Sequence, residues 1–234
     1  MKTSTKSQPS QEPVQGEKKP KQQSEKTENI VAIAVFLLLV LIGAAIPTRG
    51  FGLFASKIDY GQKIRVPLEN SDPYTGSMNA TITIIVFSDY SCPNCAVGEQ
   101  IIDSLMNTYP DKIIYFFKNF PLTSMHPNAY NAALAALCAK EEGKFWEYHD
   151  ILYANQKAQS PENLSAYAAE LGLNPEKFNT CLESKKYKSQ VDNDIKVGSS
   201  VGVTGTPTFF INGIRILGAR PMDEFVKAIE SQKK

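Results

Sequence analysis

The 234-residue sequence has almost no excess charge and contains few histidines and few cysteines. Its 25 Lys and Arg residues nearly balance 24 Asp and Glu residues, and a formal net charge of +1 gives no electrostatic reason to expect a nucleic-acid partner. Among four cysteines, only Cys92 and Cys95 are closely spaced, and no second Cys-x-x-Cys or His-x-x-x-His motif supplies the remaining ligands of a zinc site. The sequence therefore predicts no metal, no cofactor and no nucleic-acid partner.

The N-terminal part differs in composition from the rest of the chain. Residues 1–29 are rich in Ser, Gln, Lys, Glu and Pro, which predicts a disordered tail. Residues 30–46 contain no charge, which predicts a single transmembrane helix over 30–47. A cleaved signal peptide, with Gly43 and Ala45 before the cleavage point, is the alternative. The anchor is favoured because the apolar run is longer than the usual signal-peptide core of about 7–15 residues.

The distribution of lysines predicts the orientation of this anchor. Six lysines precede the span, whereas only Arg49 and Lys57 follow it closely. The positive-inside rule then places the tail in the cytoplasm and the larger C-terminal part outside the cell membrane, where disulfides persist. Residues 48–77 are predicted to form a stalk, with a possible short strand over 63–68 and a turn over 72–76.

The segment 81–95 contains the feature with most chemical meaning. An apolar, β-branched run over 81–87 predicts a buried strand. It is followed by Cys92-Pro93-Asn94-Cys95 and by helical periodicity up to Tyr109. A thiol at a helix N-terminus lies among unpaired N–H groups, which favour the anion and lower its pKa to about 3.5–7.5. We therefore predict that Cys92 is the attacking sulfur of a dithiol–disulfide site.

The remaining pattern predicts the fold. A second strand over 113–117 precedes a block of helices over 127–201, in which Ser160-Pro161 and Asn174-Pro175 indicate helix starts. Strands over 208–211 and 214–217 flank an Asn212-Gly213 turn, and a helix over 221–231 follows. This order indicates an α/β protein with a thioredoxin fold over 78–126 and 202–234, and an inserted all-helical domain over 127–201. Pro207 at a strand start suggests a cis peptide that turns its loop toward the cysteines.

Four segments in order resemble the DsbA-like family of thiol–disulfide oxidoreductases, over about residues 70–232. They are Phe87-Ser88-Asp89-Tyr90-Ser91-Cys92-Pro93-Asn94-Cys95, Asn119-Phe120-Pro121-Leu122 with His126-Pro127, Gly143-Lys144-Phe145-Trp146-Glu147-Tyr148-His149-Asp150, and Val203-Thr204-Gly205-Thr206-Pro207-Thr208-Phe209-Phe210-Ile211-Asn212-Gly213. The resemblance implies that Cys92 is the exposed nucleophile, Cys95 the buried resolving thiol and Pro207 a cis-proline that docks substrate beside Thr206. With its predicted anchor, the chain resembles the tethered members of this family found in Gram-positive bacteria and archaea.

Two departures from the family pattern affect the expected chemistry. Asn94 stands where some members have a histidine, so we expect a less stabilised Cys92 thiolate and a potential between about −120 and −270 mV. Val86 occupies the position of a buried acid found in many relatives. Asp89, Glu99 and Lys118 are therefore the candidates for a proton relay.

Cys138 and Cys181 are predicted to form a structural disulfide, because an isolated pair in an exported protein is usually bonded. A bridge closing about 43 residues would contribute about 4 kcal/mol in the chain-entropy model. The alternative is two separately buried free thiols.

The predicted function is that of a membrane-anchored oxidase that introduces disulfides into exported proteins. Its expected partners are cysteine-containing exported proteins and a membrane redox protein that reoxidises it, and the protein is expected to be a monomer. A disulfide reductase or isomerase using the same site is the alternative. A redox-inactive, anchored binding module is the third hypothesis.

Overall fold

The computed structural model describes residue 58 and residues 62–232. The elements in chain order are β1 (Tyr74–Gly76), β2 (Ile82–Ser88), α1 (Pro93–Thr108), β3 (Ile113–Asn119), α2 (Ala129–Lys140), α3 (Phe145–Ala154), α4 (Pro161–Glu170), α5 (Pro175–Glu183), α6 (Lys188–Ser200), β4 (Thr208–Ile211), β5 (Ile214–Leu217) and α7 (Met222–Glu230). This order is that of a thioredoxin-like α/β fold, as the sequence predicts, and the block of helices between β3 and β4 contains five.

The five strands form one mixed sheet in the order β1-β3-β2-β4-β5. β2 and β3 are parallel and buried, which explains why both are continuous apolar runs. β4 pairs antiparallel with β2, and Phe87 faces Thr208 across the pair. The end of β2 therefore lies beside the start of β4, which brings the loop after β2 next to the loop before β4.

The predicted turn and helix starts are confirmed. Asn212 and Gly213 have positive φ angles of 45° and 91° and join β4 to β5. Ser160 accepts a hydrogen bond from the backbone N–H of Asn163 at 3.4 Å, and α4 begins directly after it. The Asn174 side chain caps α5 in the same way, so a polar cap followed by proline sets both helix starts.

The prediction of a stalk over 48–77 is wrong for its described part. Tyr74–Gly76 is an edge strand paired with β3, and the segment 63–68 forms no strand. Even so, the Ile64 N–H donates to the Gly213 carbonyl at 2.9 Å, and Val66 is buried. Residues 62–77 are therefore part of the domain, because long-range pairing decides their conformation.

The predicted tail over 1–29 and anchor over 30–47 lie outside the described residues. Within the part of the chain that is described, no helix combines the length and the apolar character needed to cross a membrane.

Candidate active site

Cys92 lies where β2 ends and α1 begins. It is the N-cap residue of α1, with φ −83° and ψ 120°, and Pro93 occupies the first turn, where the missing N–H costs nothing. The Cys95 N–H donates to the Cys92 carbonyl at 3.0 Å and starts the helix. The motif thus places Cys92 at the helix N-terminus, in the position that favours an anion.

The two cysteines are free thiols with opposite pKa shifts. A hydrogen bond from the Cys95 thiol is the largest of the interactions that lower the pKa of Cys92 to about 5. The Thr206 hydroxyl and the backbone N–H groups of Cys95 and Asn94 lower it further, while burial opposes them. Burial raises the pKa of Cys95. At neutral pH the pair therefore consists of a Cys92 thiolate beside a protonated Cys95.

The loop before β4 covers the sulfur of Cys92. The Thr206–Pro207 peptide is cis, and the Thr206 carbonyl lies 3.6 Å from Cys92 Sγ, close enough to accept a hydrogen bond when that sulfur is protonated. Cys92 is 7% exposed and Cys95 is not exposed, so the nucleophile is more accessible than its partner but less open than the resemblance implies.

Gly98 allows α1 to approach this loop. A Cβ atom at Gly98 would lie 2.9 Å from the Phe209 ring and 3.2 Å from Pro207. These distances are shorter than ordinary carbon contacts, so a larger residue would push α1 away from Pro207 and enlarge the space around the sulfurs.

Two glutamines after α3 also hold the cysteine loop, and sequence reasoning missed both. The Gln156 amide donates to the carbonyls of Tyr90 and Cys92 at 3.0 and 2.8 Å. The Gln159 amide donates to the Tyr90 carbonyl at 3.1 Å and accepts from the Ser91 hydroxyl at 2.6 Å. They lie more than 60 positions along the chain from the loop, so no local pattern indicates them.

Asp89, a predicted relay candidate, holds the loop together through its two carboxylate oxygens. One oxygen accepts from the Ser91 N–H at 2.7 Å. The other accepts from the Leu122 N–H at 2.7 Å and lies 2.9 Å from His126 Nδ1. These contacts join the cysteine loop to the loop after β3 and give Asp89 a structural role.

The other two relay candidates also contact groups other than the sulfurs. Glu99 accepts hydrogen bonds from the Tyr115 hydroxyl at 2.9 and 3.0 Å, and one of its oxygens lies 3.4 Å from His149 Nε2. Lys118 is fully buried and pairs with Asp72 at 2.8 Å and Asp194 at 2.9 Å.

Lys118 faces away from the two sulfurs, because of its position on β3. Side chains alternate along a strand, and Lys118 pairs in register with Phe87, whereas Phe117 pairs with Val86. Phe117 shares a core cluster with Val86 and Phe209, on the face that α1 covers. Lys118 therefore points to the opposite face of the sheet.

The structure joins Cys138 on α2 to Cys181 on α5, with their Cα atoms 5.9 Å apart. The predicted bridge is thus present and ties two helices of the insert together. Among the described residues, no group of three or more His, Cys, Asp or Glu side chains is arranged to hold a metal ion.

This geometry is suited to thiol–disulfide exchange. A largely ionised Cys92 sulfur can attack a disulfide, and it is a good leaving group when a disulfide bond to it is broken. Cys95, within hydrogen-bond reach, can lose its proton and then attack the mixed disulfide at Cys92. The comparison with known proteins agrees with this arrangement, since the family model described as thioredoxin matches residues 69–231. The chain belongs to the thioredoxin family.

Solved structures with the same fold include DsbA-like proteins. Oxidised BdbD from Bacillus subtilis matches with a TM-score of 0.65 at 24% identity, over 71% of this chain and 95% of that one. The thiol-disulfide exchange protein alpha-DsbA2 from Wolbachia pipientis matches with a TM-score of 0.63 at 24% identity, over 70% and 89%.

The curated relatives are longer proteins. A Na(+)/H(+) antiporter NhaA 3 from Salinispora tropica is 30% identical over 211 residues, covering 84% of this chain. The match covers only 32% of the antiporter, so the chain spans about a third of the length of that relative.

Proposed function

We propose that this protein is a thiol–disulfide oxidoreductase that acts mainly as an oxidase, introducing disulfides into exported proteins. The observation that carries the proposal is the position of Cys92, at the N-terminus of α1 and 3.6 Å from the carbonyl of the cis Thr206–Pro207 peptide. In this position the pKa of Cys92 is lowered to about 5, while burial raises the pKa of Cys95. The fold of this thioredoxin-family chain and its likeness to BdbD and alpha-DsbA2 support the same chemistry.

The reaction begins with the Cys92–Cys95 pair as a disulfide. A substrate thiolate attacks Cys92, the bond between the two cysteines breaks, and its electron pair passes to Cys95. A second substrate thiolate then attacks the substrate sulfur of this mixed disulfide and releases Cys92 as a thiolate. The substrate gains a disulfide, and the two cysteines are left reduced.

The oxidase direction follows from the stabilisation of the reduced state. A stabilised Cys92 thiolate lowers the free energy of the reduced protein relative to the disulfide form, which makes the disulfide a stronger oxidant. The thiolate is stabilised here by hydrogen bonds, although Asn94 adds no cation. A potential below about −250 mV, near that of reducing thioredoxins, would instead favour the reductase.

The domain acts outside the cell membrane, with a membrane protein as its redox partner. The predicted anchor places the domain outside the cell membrane, and a quinone-linked membrane protein reoxidises the reduced pair. Labelling intact cells with a membrane-impermeant thiol reagent tests the location, since Cys92 should react from outside only if the domain is extracytoplasmic. Absence of labelling in intact cells, with labelling after lysis, would refute this orientation.

The activity is tested by refolding a reduced, unfolded client that requires disulfides, with stoichiometric oxidised protein. The Cys92→Ser variant should lose the activity, because it has no sulfur at which the client can attack. Ser104→Ala, which removes an exposed hydroxyl on α1, is the matched control and should retain it. Equal refolding by wild type and Cys92→Ser would refute the enzyme and favour a binding module.

A further inference from the structure

Resting on the proposed function, we infer that Ser88 and Tyr153 form the proton path to Cys95, with Ser88 as a catalytic residue and Tyr153 as the positioning residue behind it. The need for such a path follows from burial. Cys95 has no solvent exposure, and it receives the electron pair when its bond to Cys92 breaks. A thiolate in that place is costly, so a proton must reach the sulfur through neighbouring groups.

Ser88 is in the right place to deliver it. It is the last residue of β2 and is 1% exposed. Side chains alternate along β2, so Ser88 points to the same face as Val86, the face that α1 and its Cys95 cover. There the Ser88 hydroxyl lowers the pKa of the Cys95 thiol, against the larger effect of burial. The same hydroxyl lies 2.7 Å from the Tyr153 hydroxyl oxygen, a normal distance for a strong O–H···O bond.

Tyr153 continues the path toward the surface. It lies near the end of α3 and is only partly buried, whereas Ser88 and Cys95 are buried. Burial, the charge of Glu99 and the charge of Cys95 raise the pKa of Tyr153 well above its ordinary value. The residue therefore keeps its proton at neutral pH, and its hydroxyl can give one proton while taking another.

The other group beside the sulfur offers no such route. The Thr206 hydroxyl also lowers the pKa of Cys95, yet in the described part of the chain this buried oxygen has no hydrogen-bond partner to which it could pass a proton. Asp89 and Lys118 are held by backbone N–H groups and by buried carboxylates, as described above. Ser88 is the contact of Cys95 whose own hydrogen bond leads to a further hydroxyl.

The substrate thiolate forms a bond to Cys92 Sγ, and the bond to Cys95 Sγ breaks with its electron pair moving to Cys95. The Ser88 hydroxyl gives its proton to Cys95, and the Tyr153 hydroxyl gives its own to Ser88. Solvent returns one proton to Tyr153, so the net change at the relay is nil. Reoxidation of the pair runs the same transfers in reverse.

The test measures this step directly. Oxidised full-length protein in detergent is mixed with a small dithiol, and the bond between Cys92 and Cys95 is followed by acid quenching and thiol labelling. Ser88→Ala and Tyr153→Phe should each slow its opening by about tenfold or more, since general acid catalysis commonly contributes about 10²–10⁴-fold. Their double variant should be no slower than Ser88→Ala, because both act through one path.

Tyr148→Phe is the matched control, since it removes a buried tyrosine hydroxyl from the same helix, where that hydroxyl donates to the Leu164 carbonyl. It should exchange at the wild-type rate. The solvent isotope effect on the exchange rate separates a loss of proton transfer from structural damage. It should be larger in Ser88→Ala and Tyr153→Phe than in wild type, because unassisted proton transfer limits the rate in these variants. The redox potential of Tyr153→Phe should be unchanged.

The outcomes distinguish the two proposals. If the wild-type protein exchanges with the dithiol and both Ser88→Ala and Tyr153→Phe exchange at the same rate, the proton path is overturned. The proposed oxidoreductase function is not affected by that result. Slowing without a larger solvent isotope effect would also overturn the path, since it would indicate displaced packing. A wild-type protein that does not exchange with the dithiol would overturn the proposed function and the path together.

Discussion

Removing the sulfur of Cys95 should raise the pKa of Cys92. The hydrogen bond from the Cys95 thiol is the largest of the interactions that lower this pKa to about 5. A hydrogen bond to a charged group contributes about 1.5–3 kcal/mol, and 1.36 kcal/mol corresponds to about one pKa unit. The Cys95→Ala variant should therefore ionise at a pH of roughly 6–7.

Cys95→Ser is the matched control for this measurement, because its hydroxyl can donate the same hydrogen bond. Its Cys92 should ionise near the wild-type pH. Both variants simplify the assay, since Cys138 and Cys181 are bonded to each other and Cys92 is then the remaining free thiol of the four cysteines. The rate of alkylation by iodoacetamide, measured against pH, gives the pKa directly because only the thiolate reacts.

The result that would refute this reasoning is a Cys95→Ala protein whose Cys92 still ionises near pH 5, the value of the intact site. The backbone N–H groups and the dipole of α1 would then hold the anion by themselves, as the sequence alone suggests. A midpoint close to the ordinary cysteine value of about 8.5 would mean that the dithiol hydrogen bond dominates completely.

Three further predictions concern stability, each measured by denaturant unfolding. Lys118→Met should lower the free energy of unfolding by about 3–5 kcal/mol, because it leaves two buried carboxylates without their cation. Lys188→Met breaks an exposed ion pair and should lower it by less than about 1 kcal/mol. Equal losses in the two variants would contradict the structural role of Lys118. The depressed pKa of Cys92 stabilises the folded reduced protein above its unfolded-state pKa, and this stability is lost as pH falls through about 5. Relative to the oxidised form, the reduced form should lose about 3 kcal/mol between about pH 7 and pH 4, and a parallel pH dependence of both forms would refute the shift. Replacing Cys138 and Cys181 by alanine should lower the free energy of unfolding by about 4 kcal/mol, since the two cysteines are 43 positions apart in the chain. The exchange rate of Cys92 should be unchanged, and a slower exchange would show that the bridge acts on the site.

The segments that the sequence predicts well are those whose signals are local. The apolar run before the cysteines, the capped prolines at Ser160 and Asn174 and the Asn212-Gly213 turn each depend on a few neighbouring residues. The described part of 48–77 carries no such signal. Its edge strand exists because β3 offers a free edge to pair with, so its membership of the domain could not be read from its own residues.

The same division applies to the relay candidates. Asp89, Glu99 and Lys118 are titratable residues near the motif or on a neighbouring strand, which is the only guide that sequence offers. Whether a side chain reaches the sulfur depends on strand register and on the path of distant helices. Lys118 points to the opposite face of the sheet, and the Ser88–Tyr153 contact joins residues 65 positions apart.

The amino-acid sequence by itself determined that a dithiol follows a buried strand and opens a helix, because hydrophobic periodicity and proline at the helix start are local properties. Only the tertiary structure decided what surrounds the two sulfurs. The hydroxyls of Ser88 and Thr206 and the amides of Gln156 and Gln159 reach the site through folding. Burial and hydrogen bonding to groups distant in sequence set the ionisation of Cys92 and Cys95, and neither quantity exists before the chain has folded.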